Sequence, residues 1–199
     1  MQIQTLTVGP VATSCYLVSM ENSPACLVID PGDEPSRILK AAGDRHIAAI
    51  LLTHGHFDHI AAVPALLAAS PDTPVLIHSL DAPMLADPVL NASQVLLAHP
   101  VIVRATPEFL RDGDRRLLAG LSVEVLHTPG HTPGSVCFLI RPESDEDSPD
   151  PDQHLFTGDT LFRDGWGRTD LPGGSSRDLS ASLRKIVPLA RTLPFYPGH

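Results

Sequence analysis

The chain predicts an α+β protein built as a four-layer αββα sandwich, and two observations carry this prediction. Strand-like apolar runs dominate both halves of the 199-residue chain, and segments with helical spacing follow them. Two sheets of this kind bury their apolar faces against each other and cover their outer faces with helices. We expect a single domain over residues 1–199, because this length lies within the usual range for one domain.

The predicted elements of the first half mix strands and helices. Gly43 ends the first helix, because glycine tolerates the left-handed conformation of a helix end, and Pro64 would kink the second. The predicted strands are Ile3–Val8, Cys15–Ser19, Ala25–Asp30, Ala48–Thr53 and Val75–His78, and the predicted helices are Pro35–Ala42, Asp58–Ala69 and Ser79–Leu85. The segment from Ala86 to Pro100 is ambiguous.

The second half repeats this theme and ends in a helix. Its predicted strands are Val101–Ala105, the hairpin Arg115–Leu118 with Leu121–His127, Val136–Arg141 and Leu155–Gly158. The helix Arg177–Val187 has its apolar residues at helical spacing. Residues 142–153 are charged and lack apolar side chains, which indicates an acidic, solvated surface loop without a chemical role.

Composition favours a protein that acts on small molecules. The formal charge is −9, from 14 basic and 23 acidic residues, and the basic residues are scattered, which argues against binding to nucleic acid or to a membrane surface. The N-terminus lacks a targeting pattern. Cys15, Cys26 and Cys137 lie in apolar runs without a C-x-x-C pair, so we expect buried, reduced thiols and a cytoplasmic protein. The oligomeric state is left open.

Four potential metal ligands fall within six positions directly after the predicted strand Ala48–Thr53. Three are imidazoles, which are common zinc ligands. In an extended loop alternate side chains point the same way, so His54, His56 and Asp58 can converge while His59 enters from the following turn. The alternative is a solvated histidine-rich loop, but such a cluster would be costly to desolvate without a cation.

Three further candidate ligands lie where later predicted strands end. His131 lies in the Pro/Gly-punctuated loop Thr128–Ser135, Asp159 follows Leu155–Gly158, and His199 follows the run that starts at Phe195. Strand ends are the usual location of sites in sheet-based enzymes. Each residue alone is weak evidence, but together with the histidine loop they predict one site with enough ligands for two metal ions.

These motifs resemble those of the metallo-β-lactamase-fold hydrolases, which carry THGHFDH, TPGHTPGS, TGD and PGH in this order. Within that superfamily the chain is most similar to the short bacterial glyoxalase II-like, or hydroxyacylglutathione hydrolase-like, proteins. Thr157–Ser175 matches their stretch after the bridging aspartate, and Val8–Ser19 and Ile29–Asp33 also fit. The resemblance covers essentially the whole chain and implies the metallo-β-lactamase fold.

The resemblance implies a binuclear metal site. One ion would be held by His54, His56 and His131, the second by Asp58, His59 and His199, and Asp159 would bridge them. Two divalent ions with two carboxylates leave a net charge of about +2, so the site can hold a bridging hydroxide at neutral pH. Asp58 and Asp159 are the catalytic candidates, Asp58 also for proton transfer. Zinc is the first choice, and iron and manganese suit the same ligands.

The implied reaction is hydrolysis of a thioester by the metal-bridging hydroxide, with an S-2-hydroxyacylglutathione-like conjugate as the first candidate. Full-size glyoxalase II enzymes carry a further C-terminal helical region that binds the thiol conjugate, whereas this sequence ends at His199, where we expect a short tail to be missing. Two alternatives stay open. One is a persulfide dioxygenase with a single iron, and the other is a metal-stabilised binding module without catalysis.

The substrate-binding candidates are Arg168 and Trp166 in the stretch GWGRTD. The planar fork of Arg168 would hold an anionic group of the substrate. Alternatively, Arg168 pairs with Asp170 as structural support. Trp166 would either line the mouth of the pocket or anchor its own loop.

Replacing Arg168 by alanine separates the two interpretations of this residue. If Arg168 holds an anionic group, Arg168→Ala raises the Michaelis constant for an acidic thioester, because the charged partner is lost. An unchanged Michaelis constant in a variant with a native circular dichroism spectrum would exclude substrate contact.

Overall fold

Two β-sheets packed face to face form the centre of the molecule in the computed structural model, which describes residues 1–97, 99–145, 148 and 152–199. Helices cover both outer faces. The predicted α+β class and four-layer αββα arrangement are therefore confirmed. Among the described residues, no helix combines the length and apolar character needed to cross a membrane.

The first sheet contains six strands in sequence order. They are β1 (Gln2–Val8), β2 (Thr13–Ser19), β3 (Ala25–Ile29), β4 (His46–Leu51), β5 (Val75–His78) and β6 (Glu108–Leu110). The first three strands pair antiparallel, and β3 to β6 pair parallel. Because β3, β4 and β5 run parallel, their carboxyl ends meet at one edge of the sheet, where the histidine loop begins.

The second sheet contains five strands in the order β11-β10-β9-β8-β7, where β7 is Arg115–Leu118, β8 is Leu121–His127, β9 is Val136–Pro142, β10 is His154–Gly158 and β11 is Phe195–Pro197. The pairs are antiparallel except β10 with β11. The helices are α1 (Pro35–Ala42), α2 (Phe57–Ile60), α3 (Val63–Ala69), α4 (Ser93–Leu96) and α5 (Ser176–Ala190). Short 3₁₀ turns cover Ala82–Leu85 and Glu143–Asp145.

Three buried apolar clusters separate the four layers. Between the sheets, Phe138 and Phe156 pack with side chains of the first sheet, and the ring of Tyr16 meets that of Phe156 edge-on with centroids 5.2 Å apart. The helices α1 to α3 cover the outer face of the first sheet, and Ile186 of α5 packs against Cys137 on the second. The three cysteines are buried and free, as the sequence predicts.

The predicted strand Val101–Ala105 is wrong, and the chain forms β6 a few residues later. Prolines lie on both sides of this segment, at positions 100 and 107. Its backbone bonds to neighbouring groups instead of to a strand: the N–H of Val101 donates to Ser93 Oγ, its carbonyl accepts from Asn91 Nδ2, and the N–H of Val103 donates to the carbonyl of Leu85. These backbone groups are therefore not available for hydrogen bonds to a neighbouring strand.

The helix predicted over Asp58–Ala69 is two helices, α2 and α3, since Pro64 lies in the first turn of α3. A proline there lacks the N–H that would continue the preceding helix. The helix predicted over Ser79–Leu85 is reduced to a 3₁₀ turn, and α4 occupies part of the ambiguous segment 86–100. Of the predicted acidic loop, residues 146, 147 and 149–151 lie outside the described residues.

The approach of α5 to the loop before His131 requires glycine at position 130. Gly130 has a φ of +138°, and a Cβ atom there would lie 2.2 Å from the backbone nitrogen of Leu179 in α5. The carbonyl of Gly130 accepts from the N–H of Ser175, and Ser182 Oγ donates to the carbonyl of Pro129. The helix therefore fixes the position of this loop on the second sheet.

We expect Gly130→Ala to lower the free energy of unfolding by at least about 2 kcal/mol, because the methyl group would push α5 away from the loop. Gly165→Ala is the matched control, since no atom lies within 4 Å of a Cβ at that position. The control should change stability by less than about 0.5 kcal/mol in urea denaturation. Equal stability of both variants would contradict the close contact.

Candidate metal centre

All seven ligands predicted from the sequence converge at one end of the two sheets. The first sheet supplies four of them from the loop after β4 and from α2, and the second sheet supplies three from the ends of β8, β10 and β11. The four are His54, His56, Asp58 and His59, and the three are His131, Asp159 and His199.

Three buried imidazoles form the first group. The ligand atoms of His54, His56 and His131 all lie within 4.8 Å of one another. His131 Nε2 lies 2.9 Å from His56 Nδ1 and 3.2 Å from His54 Nε2. The carbonyl of Arg168 accepts a hydrogen bond from His131 Nδ1 at 2.8 Å, so His131 Nε2 is left with its lone pair towards the other two rings. Three converging imidazole lone pairs are a typical zinc ligand set.

The second group consists of Asp58, His59 and His199. Asp58 Oδ2 lies 3.5 Å from His59 Nε2 and 3.3 Å from His199 Nε2. Asp159 lies between the two groups, since its Oδ1 is 3.3 Å from His59 Nε2 and its Oδ2 is 3.5 Å from both His131 Nε2 and His199 Nε2. This is the position that a bridging carboxylate requires.

Buried polar atoms without partners test whether this donor set fits a metal. Among the described residues, His56 Nε2, His59 Nε2 and Asp159 Oδ1 are buried and make no hydrogen bond. A buried polar atom without a partner costs about 1–3 kcal/mol. His59 Nε2 and Asp159 Oδ1 face other ligands and are satisfied if they coordinate cations, whereas His56 presents its Nδ1 to the cluster. The cluster is thus a metal-binding site for divalent ions.

The electrostatics of the cluster keep His54 and His56 neutral. Burial lowers the pKa of His54 well below its usual value, and the neighbouring His59 and His131 add to this effect. Burial and His131 lower the pKa of His56 to about 3. At neutral pH these imidazoles therefore carry no charge, which is the form that binds a metal.

In the second group, neighbouring carboxylates favour the charged form of the histidine. Burial opposes a charge on His59, but the carboxylates of Asp58, Asp159 and Asp30 outweigh it and raise the pKa of His59 well above its usual value. In return, His59 and His199 hold the pKa of Asp159 well below the usual range despite its burial. The carboxylate of Asp159 is therefore ionised, and metal binding must displace a proton from His59.

Asp30, which was not predicted as a site residue, orients His59. It follows β3 and is buried. Its Oδ1 accepts from the N–H of Thr53 at 2.8 Å, and its Oδ2 accepts from Thr53 Oγ1 at 2.6 Å and lies 2.9 Å from His59 Nδ1. A carboxylate that binds the far nitrogen of a histidine fixes the ring and its tautomer. In the sequence, this role was indicated by the position of Asp30 in the segment Ile29–Asp33, at the end of a predicted strand.

Asp81 joins the two ligand-bearing loops, and it too was not predicted. Its Oδ2 accepts from the N–H of Gly55 at 3.1 Å and from Thr132 Oγ1 at 2.6 Å, and its Oδ1 accepts from the N–H of Gly134 at 2.6 Å. Gly55 lies between His54 and His56, and the other two partners flank the turn after His131. The sequence gives no signal for this role, because the partners are distant along the chain.

Of the two predicted substrate-binding residues, Arg168 lines the cavity over the cluster and Trp166 is not among the described residues that line it. The Nε and one terminal nitrogen of Arg168 donate to the carboxylate of Asp170 at 2.6 and 2.7 Å. This ion pair agrees with the alternative in which Arg168 pairs with Asp170 as structural support. Trp166 is 63% exposed.

A scan against protein-family models matches residues 8–199 to a model described as the metallo-beta-lactamase superfamily. Among curated relatives, a probable metallo-hydrolase of Bacillus subtilis, YqgX, is 35% identical over 100% of this chain and 90% of its own length. The hydroxyacylglutathione hydrolase GloC of Haemophilus influenzae is 31% identical over 100% of this chain and 91% of its own.

Solved structures with a similar fold support the same superfamily. The BLEG-1 B3 metallo-beta-lactamase has a TM-score of 0.84 at 32% identity and covers 100% of this chain and 91% of its own. TTHA1623, solved in a di-iron-bound form, has a TM-score of 0.81 at 37% identity, with 98% and 91% covered. ETHE1 from Myxococcus xanthus has a TM-score of 0.72 at 29% identity, with 100% and 76% covered.

Replacing Asp81 by asparagine should weaken metal binding by about 10–100-fold, the usual effect of losing a buried partner of the ligand shell. The amide would direct an NH₂ group at a backbone N–H that now donates to a carboxylate oxygen. Apparent dissociation constants from chelator competition measure this. Asp72→Asn, at an exposed turn, is the control; equal affinities for both variants would rule out the role of Asp81.

Proposed function

Because this chain belongs to the metallo-β-lactamase superfamily and is a metallo-hydrolase, we propose that it hydrolyses a thioester, with an S-2-hydroxyacylglutathione-like conjugate as the first candidate. The observation that carries this proposal is the complete ligand set, in which Asp159 reaches both groups of ligands. The likeness to a hydroxyacylglutathione hydrolase supports the choice of substrate.

When bound, two divalent ions supply a water of lowered pKa and polarise the carbonyl under attack. The chain itself balances their charge. Burial would raise the pKa of Asp58, but His59 and His199 lower it to about 2, and Asp159 is ionised for the same reason. Two carboxylates against two divalent ions leave a net charge of about +2, which favours an anionic nucleophile.

Asp58 is the candidate for proton transfer, because it combines a fixed position with access to the cavity. Thr13 Oγ1 donates to Asp58 Oδ2 at 3.1 Å, and Asp58 lines the cavity beside His199. A group that exchanges protons with substrate or water must be within reach of both. Asp159 also lines the cavity but reaches both groups of ligands, and its proposed role is to hold the two ions in place.

Zinc is the metal we propose, since imidazole and carboxylate donors suit it well. The same donors suit iron and manganese. A similar chain solved with two irons supports iron as the main alternative.

A persulfide dioxygenase that uses a single iron is the alternative function. The likeness to ETHE1 supports it to a comparable degree. That activity needs the three imidazoles of the first group and Asp159, whereas the hydrolase also uses Asp58, His59 and His199. A binding module without catalysis is disfavoured, because none of the seven ligands is replaced.

His54→Ala should abolish hydrolysis of S-lactoylglutathione, since it removes one of three imidazoles from the first metal group. Metal content per chain is measured on the same preparations by atomic emission. His46→Ala is the matched control, because His46 is exposed at the opposite end of β4. Retained hydrolysis in His54→Ala would contradict the site, whereas one iron per chain with oxygen uptake on glutathione persulfide would replace the hydrolase by the dioxygenase.

A further inference from the structure

A cavity of about 280 Å³ lies over the metal ligands, and the described residues that line it beyond those ligands are apolar apart from Arg168. Its base is formed by ligand side chains, among them Asp58 and Asp159. Its walls come from three separate parts of the chain: Val11 in the β1–β2 connection, Leu96 in α4, and Leu171 after the GWGRTD stretch. A carbonyl bound at the ligands would therefore carry its neighbouring groups past these side chains.

The walls leave apolar surface open to solvent. Leu96 is 51% exposed and Val11 is 47% exposed, although both line the cavity. Apolar side chains that line a concave site beside a few polar groups are typical of ligand-binding pockets. Since the surface faces the ligand cluster, a bound substrate would cover it.

The wall that carries Leu96 is held in place by buried hydrogen bonds. Asn91 is fully buried, and its Nδ2 donates to the carbonyls of Met84 and Val101 while its Oδ1 accepts from the N–H of Ser93. The carbonyl of Asn91 accepts from the N–H of Phe57, which starts α2 and precedes Asp58. The position of α4 is thereby tied to that of the metal ligands.

Apart from the metal site itself, the described side chains around the cavity offer no free cation to an anionic group of the substrate. Among the described residues that line it, Arg168 is the sole cation apart from the ligand imidazoles, and Asp170 occupies its fork. The chain as a whole carries a formal charge of −9. A carboxylate beside the reacting carbonyl would meet no unpaired guanidinium or ammonium group there.

From this geometry we propose that the cavity binds the acyl group of the substrate, that this group is uncharged and apolar beyond its 2-hydroxyl, and that Leu96 determines its size. This inference rests on the proposed thioester hydrolysis. The volume is just below the roughly 300–1,000 Å³ of pockets that enclose drug-sized ligands. It therefore suits a short alkyl or aryl group, while the thiol carrier extends into solvent.

The test compares thioesters of one thiol, glutathione, that differ in the acyl group. We expect kcat/KM of the metal-loaded protein to be about tenfold or more higher for S-hexanoylglutathione than for S-acetylglutathione, since each methylene in an apolar pocket contributes to selectivity. Leu96→Ser should reduce this ratio about tenfold. Leu96 is half exposed, so the variant should fold.

Val95→Ser is the matched control, because Val95 adjoins Leu96 in α4, is 80% exposed and does not line the cavity. It should keep the wild-type ratio. Equal rates for the two acyl groups, equal effects of the two variants, or a preference for S-succinylglutathione would overturn the inference.

A binding measurement keeps this test separate from the proposed reaction. S-hexylglutathione and S-methylglutathione are thioethers that cannot be hydrolysed, and calorimetric titration gives their dissociation constants. If no thioester is cleaved, the proposed function fails, but tighter binding of the hexyl compound that is lost in Leu96→Ser and kept in Val95→Ser still supports the apolar site. Equal binding of both thioethers to the wild type would refute it.

Discussion

The rest of the structure depends on the burial of two carboxylates, Asp30 and Asp81, between the ends of the sheets. A buried acidic side chain is tolerated only when donors surround it, and here the donors come from the ligand-bearing loops themselves. Asp30 accepts from Thr53 and lies against His59, and Asp81 accepts from the loops of both sheets. The hydrogen bonds to these oxygens therefore hold the ligand-bearing loops in position without a contribution from the metal.

The glycines beside the ligands follow from the same crowding. A Cβ atom at Gly32 would lie 1.7 Å from the carbonyl oxygen of Asp58, one at Gly167 would lie 2.0 Å from that of Asp159, and one at Gly198 would lie 2.1 Å from Asp159 Oδ1. The backbone at these positions passes so close to the ligands that no side chain fits. The Gly residues of the motifs are thus required by close packing around the cluster, and not by flexibility of the loops.

Most strands, the helix ending at Gly43 and the seven ligands could be predicted, because apolar periodicity and the residue types at strand ends are visible in local sequence. The failures have a common cause. Val101–Ala105 has the composition of a strand, but Asn91 and Ser93 bind its backbone. The sequence next to Asp30 and Asp81 does not distinguish them from other acidic residues, because the groups that bind them in the fold are distant along the chain. Local pattern carries no information about such partners, and so the metal ligands were predictable while the groups that orient them were not.

For the proposed hydrolysis, reaction and selectivity are located in different parts of the fold. The ligands lie at strand ends that the sheets hold rigidly, whereas the wall with Leu96 belongs to a segment without a regular pattern. Folds that keep one site and vary the connections around it serve many substrates. Here Asn91 connects the two parts, since its carbonyl binds Phe57 and its amide binds both ends of the segment. As long as Asn91 is kept, the wall can change its side chains without moving Asp58, so that the accepted acyl group changes while the metal centre does not.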